Sequence, residues 1–132
     1  MAKLRPDADA AIGSWTDDGG GTTNIYQSID EVTASDVDFI QSEANPVSSA
    51  YRATLSNPAG IVDTNKAAVI NYRYAKEGSA QVDLTVELIE GASTVRATRT
   101  ITDIPATETD GTITLTSGEK TSVTDWNDVS LR

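Results

Sequence analysis

Gln81-Val82-Asp83-Leu84-Thr85-Val86-Glu87-Leu88-Ile89-Glu90 is the stretch on which the fold turns. Val82, Leu84, Val86 and Leu88 fall at every second position, with Asp83, Thr85 and Glu87 between them. A period of two sends alternate side chains to opposite faces of an extended chain, so this reads as a strand with one face in a core and one in water. Upstream, Ala68, Ile70, Tyr72 and Tyr74 alternate with Val69, Asn71 and Arg73 in the same way. Glu77-Gly78-Ser79-Ala80 lies between the two runs, and because glycine accepts the positive φ of tight turns this predicts a hairpin. Downstream, Glu90-Gly91-Ala92-Ser93 predicts a second hairpin into Thr94 to Ile101. The three runs together predict a meander.

Further along, Asp110-Gly111 leads into Thr112 to Thr116, with Ile113 and Leu115 as the inward pair, and Ser117-Gly118-Glu119-Lys120 reads as a turn. Thr121 to Arg132 alternates at both ends but breaks around Asp125-Trp126-Asn127-Asp128, which predicts a bulge or a bend. Tyr51, Ala53 and Leu55 make a short strand that closes at Asn57-Pro58, since proline cannot donate to a ladder. Ile25 to Ile29 and Val37 to Ile40 are shorter strand candidates. Thr33-Ala34-Ser35-Asp36 has the form of a capping box, yet no 3.6-residue apolar pattern follows it, so one helical turn at most is expected there. Short strands separated by Gly, Pro and Asp turns predict an all-β protein: a single β-sandwich of jelly-roll or immunoglobulin-like type over residues 23–132. Residues 1–22 lack any period, and only Leu4, Ile12 and Trp15 could anchor them. They predict an extended N-terminal arm, separable from the domain.

Composition sets the chemistry. At 132 residues and 13.9 kDa the chain has the length of one domain with one core. It contains no cysteine and no histidine, so thiol nucleophiles, disulfides, Cys/His zinc sites and Ser-His-Asp triads are excluded. The formal charge of −10 opposes a phosphate backbone, and nucleic acid is not an expected partner. No apolar run approaches the roughly 18 residues of a membrane span, and Met1 to Pro6 lacks the apolar stretch of a secretory leader. No membrane partner is expected. Charge is uneven along the chain: nine acids stand against Lys3 and Arg5 up to Tyr51, and eleven against eight bases thereafter.

Paired carboxylates are the catalytic chemistry that this composition leaves open. Asp30/Glu31, Asp36/Asp38 and Asp125/Asp128 are close in sequence, but among twenty acids such pairs arise by chance. No catalytic residue, cofactor or metal is therefore expected. Asp17-Asp18-Gly19-Gly20-Gly21 could offer oxygens to calcium, against the commoner outcome of a solvated loop. Trp126 is a candidate ligand-stacking aromatic or, alternatively, a plug at the end of the core. Trp15, in a segment with little else to hold it, docks either on its own domain or on a neighbour.

Arg5-Pro6-Asp7-Ala8-Asp9, Trp15, Ile25-Tyr26-Gln27-Ser28-Ile29-Asp30-Glu31, Asp36-Val37-Asp38-Phe39-Ile40 and the ending Thr124-Asp125-Trp126-Asn127-Asp128-Val129 resemble small virion proteins of tailed bacteriophages. The resemblance covers the two ends of the chain. It implies a β-sandwich attached to the capsid exterior as a decoration or cement protein, commonly a homotrimer, made in the host cytoplasm and lacking catalytic residues. The implied partner is the major capsid protein or another virion protein. With the arm reaching a neighbour or the shell, Lys3, Leu4, Arg5, Ile12 and Trp15 become the expected partner-binding residues. The other expectation is a carbohydrate-binding or host-adhesion module built on aromatic residues.

Overall fold

The computed structural model describes residues 3–33, 35–58, 60 and 62–132. In chain order the elements are strands β1 (Pro6–Ala11) and β2 (Thr16–Asp17), a 3-10 turn (Ile25–Ser28), then β3 (Ile40–Gln41), β4 (Arg52–Leu55), β5 (Val69–Tyr74), β6 (Leu84–Glu90), β7 (Thr94–Ile101) and β8 (Thr109–Thr114). The short helix α1 (Ser117–Ser122) and β9 (Val129–Leu131) complete the chain. The fold is all-β. One sheet has five strands in the order β1-β4-β9-β6-β7, and β5-β8 and β2-β3 form two-stranded ribbons. Every pairing is antiparallel.

The alternation read in residues 82–90 is realised in β6. Its partner β7 runs from Leu84↔Ile101 to Glu90↔Thr94, and the turn between them carries Gly91 at φ +65°. Leu88, Ala97 and Val129 of the large sheet close on Ile113 and Leu115 from the opposite layer, with Val123 between, and Ile70, Tyr72 and Trp126 pack against this core. Each large aliphatic chain buried there contributes about 1.5–3 kcal/mol. A second core, Ile25, Tyr51 and Ala53, lies toward the β1-β4 edge.

The meander is corrected. β5 does not pair with β6; it pairs with β8 along six residues, from Val69↔Thr114 to Tyr74↔Thr109. The connection containing Gly78 carries the chain from one layer to the other, and it runs beside the return connection. Lys76 N donates to Pro105 O at 2.9 Å, Ile104 N donates to Val82 O at 2.8 Å, and Lys76 pairs with Asp103. Alternation specifies which side chains face inward, not which neighbour supplies the ladder, and both arrangements turn Ile70 and Tyr72 toward the core.

Four further expectations change. Ile25 to Ser28 is a 3-10 turn rather than a strand, because the Asp9 carboxylate accepts from Ile25 N at 3.0 Å and Tyr26 N at 2.9 Å, as a capping side chain would. Ser117 to Lys120 belongs to α1, whose Thr116 and Glu119 form a reciprocal capping box. From Val37 to Ile40 only Ile40 is in a strand, and from Thr121 to Arg132 only Val129 to Leu131 are. The helical turn expected at Thr33 to Asp36 includes Ala34, outside the described residues.

The N-terminal segment is an edge strand rather than a separable arm. Pro6 to Ala11 pair with β4 with two register shifts, and Arg5 and Ser56 extend the ladder through Ser56 N to Arg5 O at 2.7 Å. Its Asp-Ala-Asp-Ala composition hides it, since neither face of such a strand is strongly apolar.

Candidate functional site

The expected arm residues divide on folding. Ile12 and Trp15 pack against Ile25, Tyr51 and Ala53, with Trp15 and Tyr51 ring centroids 6.3 Å apart and planes inclined at 40°. Trp15 therefore docks on its own domain. Gly13 makes the approach: its φ is +55°, and a Cβ there would lie 2.7 Å from the Ala50 carbonyl oxygen. Leu4 packs against the main core, while Lys3 is exposed and Arg5 half-buried. Trp126 also packs on the main core, in keeping with the plug reading.

Asp9 and Glu90 are carboxylates that each tie separate segments together. Asp9 Oδ1 also accepts from the Tyr51 hydroxyl at 2.9 Å, and burial, followed by the bond to Asp9, pushes the Tyr51 phenol well above its ordinary value. Glu90 is only 6% exposed and faces Arg96 at 2.6 Å. Its Oε1 accepts from Thr124 Oγ1 at 2.6 Å, Thr124 N at 3.0 Å and Asp125 N at 2.6 Å. Led by the Thr124 hydroxyl, these donors hold Glu90 down at about 2. That cluster fixes the loop bearing Trp126, so the break in alternation at Asp125 to Asp128 is the bend of the two expected alternatives, tied to β6, and not the bulge.

Of the candidate carboxylate pairs, Asp36 and Asp38 take different partners, whereas the charge of Asp30 still acts on Glu31 and Asp128 N donates to Asp125 O at 3.3 Å. Asp36 binds Arg73, with Arg73 Nε to Asp36 Oδ1 at 2.5 Å, and Arg73 also reaches Asp110 at 2.9 Å. Asp38 instead faces Glu31, whose carboxyl is pushed up by burial and then by the hydrogen bond and charge of Asp38. Asp125 Oδ1 accepts from Asn127 N and Nδ2 at 2.9 and 3.0 Å, an intraloop arrangement. Asp17 Oδ1 accepts from Gly21 N at 2.6 Å, closing the glycine loop upon itself. Among the described residues no cluster of three or more acids is placed to hold a metal.

The large sheet, the β5-β8 ribbon and residues 29–50 border a broad, open cleft whose lining carries acids and bases alike, Glu31, Asp36, Asp38 and Glu43 among them. Its apolar wall includes Leu4, Leu55, Ile70, Val86 and Leu131, and Tyr72 and Tyr74 stack on it with centroids 5.5 Å apart and planes at 29°. The bordering segment carries exposed large apolar side chains: Val32, Val37 (81% exposed), Phe39 and Val47 (87% exposed). Sequence reading placed Val37 and Phe39 in a strand and missed Val47, which no period marks. A long irregular connection with such residues outward is the signal that could have found this surface.

Against this geometry, comparison with known proteins returns nothing: no protein-family signature, no curated protein and no solved structure matches the chain.

Proposed function

We propose that this chain is a structural subunit of a virion, a decoration or cement protein that binds the outer surface of a phage head and stabilises it. The observation that carries the proposal is that residues 32–47 leave four large apolar side chains exposed, Val32, Val37, Phe39 and Val47. A solvated domain gains nothing from that arrangement, whereas a subunit in an assembly covers it on docking. The resemblance of the short terminal motifs to small phage virion proteins is what supports this kind of assembly, and the major capsid protein or a neighbouring virion protein is the proposed partner. The test is co-sedimentation of purified protein with particles that lack it. A fixed saturating ratio to the shell subunits supports the proposal, and protein left in the supernatant at micromolar concentration overturns it.

A second reading, a carbohydrate-binding or host-adhesion module, is favoured by Tyr72 and Tyr74. They form a stacked aromatic pair on the cleft wall, and sugar rings stack on such faces. Trp15, Trp126 and Tyr72 all pack on the cores, which leaves Tyr74 as the aromatic candidate. Glycan binding that disappears in Tyr74→Ala would select this reading over the first.

A further inference from the structure

The layer opposite the large sheet is short of strands: the β5-β8 ribbon sets two strands against five. Leu115 N donates to Ala68 O at 2.9 Å, which makes these two a hydrogen-bonded pair and continues the unbroken β5-β8 register. In an antiparallel ladder such pairs alternate with pairs whose N–H and C=O groups point away. Ile70, Tyr72 and Tyr74 therefore bond to β8, and Val69, Asn71 and Arg73 turn their backbone groups to the far side. Among the described residues those outward groups make no backbone hydrogen bond.

The edges of the large sheet are blunted. β1 begins with Pro6 and carries two register shifts, and on β7 the Thr98 carbonyl accepts from Arg99 Nη1 at 2.6 Å. β5 has neither a proline nor a register shift. Beside it lies the open cleft, which all six of its residues line. Asp36 reaches β5 there through the Arg73 side chain rather than through the ladder.

The surroundings define what strand fits. Leu4, Leu55, Val86 and Leu131 line the same cleft and are only partly buried against the core, so a strand beside β5 with apolar side chains at alternate positions covers them with one face. Its other face meets Val69, which is 45% exposed. At the Val69 end, the Lys120 ammonium donates to the Lys66 carbonyl at 2.8 Å. Lys120 is only 8% exposed and Lys66 is exposed, and among the described residues neither has a carboxylate within 4 Å. Asp63, close by in sequence, accepts from Asn65 N at 2.9 Å instead. A largely buried cation without a counter-ion is costly, and a carboxylate arriving beside it relieves that cost. The complementarity is local to this end of β5, since the cleft as a whole is mixed in charge.

We infer that β5 is an acceptor edge: an extended segment of a partner protein, apolar at alternate residues and ending in a carboxylate beside Val69, adds as the third strand of the ribbon and sets that carboxylate against Lys120 and Lys66. Main-chain bonds to Val69, Asn71 and Arg73 hold the segment, and the alternate side chains select it. That the partner is a virion protein rests on the proposed function, whereas the strand seat rests on the free edge.

Synthetic peptides of six residues, the length of β5, test it on the isotopically labelled full chain by NMR. They alternate Val, Ile or Leu with Thr, and each is made with a free C-terminal carboxylate and as the amide. Saturation with the carboxylate form is expected to slow exchange of the Val69, Asn71 and Arg73 amides about tenfold or more, and to leave those of Ile70 and Tyr72 as they were. The amide form is expected to bind about tenfold more weakly. Lys120→Met is expected to abolish that difference, and Lys66→Met, at an exposed position, to narrow it. No peptide binding at about 1 mM, protection elsewhere with Val69, Asn71 and Arg73 unaffected, or equal affinity of the two peptide forms would each overturn the inference. Particle binding separates it from the proposed function. Wild type that saturates phage heads while binding no peptide defeats the strand seat alone, and a peptide-binding protein that ignores heads defeats the capsid reading alone.

Discussion

Glu90 ties three segments together: Arg96 on β7, the Thr124-Asp125 backbone and the Thr124 hydroxyl all converge on one carboxylate. Glu119 has a similar position between Arg99 and the Thr116 N–H, and is likewise held at about 2, with Arg99 the leading cause. Both sit below the 4.5 of a free glutamate. A carboxylate whose folded pKa is depressed contributes stability above its unfolded pKa and loses it as pH falls through the folded one. Stability is therefore expected to hold above about pH 4.5 and to fall between there and about pH 2. Glu31, pushed upward, works in the reverse sense and gains on protonation. Urea midpoints measured from pH 7 to pH 2 check this, with Glu90→Gln as the control. That variant is expected to cost about 1–3 kcal/mol at pH 7 and to flatten the acid limb. Unchanged acid sensitivity in Glu90→Gln would assign the loss to other carboxylates. None of these partners is legible in sequence, because Glu90 and Thr124 meet across 34 residues and no local pattern records the meeting.

Elements were legible in proportion to their apolar contrast. β6, β7, β4 and the inward pair Ile113/Leu115 of the β8 region follow from alternation alone, and the Gly91 turn follows from its glycine. The β5-β8 pairing was not legible, because a period of two is blind to the identity of the neighbouring strand. The capping box at Thr116 and Glu119 was present in the sequence, yet the turn residues Ser117 and Gly118 outweighed it. β1 was hidden by alternating Asp and Ala, and its consequences are the largest. Its Asp9 carries the bonds to Ile25, Tyr26 and Tyr51, so the strand supports the second core as well as the sheet edge. Removal of residues 1–11 is therefore expected to lower the melting temperature, whereas a detachable arm would leave it untouched. Losing three bonds to a charged acceptor at about 1.5–3 kcal/mol each exceeds much of a small domain's stability. A thermal scan of the truncated protein showing an unshifted transition would restore the arm.

At the scale of the whole molecule the chain carries a net charge of −10. Repulsion between like-charged molecules at that charge works against association, so a partner must be held by a local and specific contact. The exposed Val32, Val37, Phe39 and Val47 are the side chains that such a contact would cover under the proposed function. A repeating shell would present the same site many times, and nothing in the sequence of a single chain displays that multiplicity. Val37→Asp combined with Val47→Asp alters exposed side chains, so the variant is expected to keep the wild-type circular-dichroism spectrum while binding purified phage heads roughly tenfold more weakly or worse, about 1.4 kcal/mol. Binding isotherms on the heads check this: an unchanged affinity of the folded variant moves the contact away from residues 32–47.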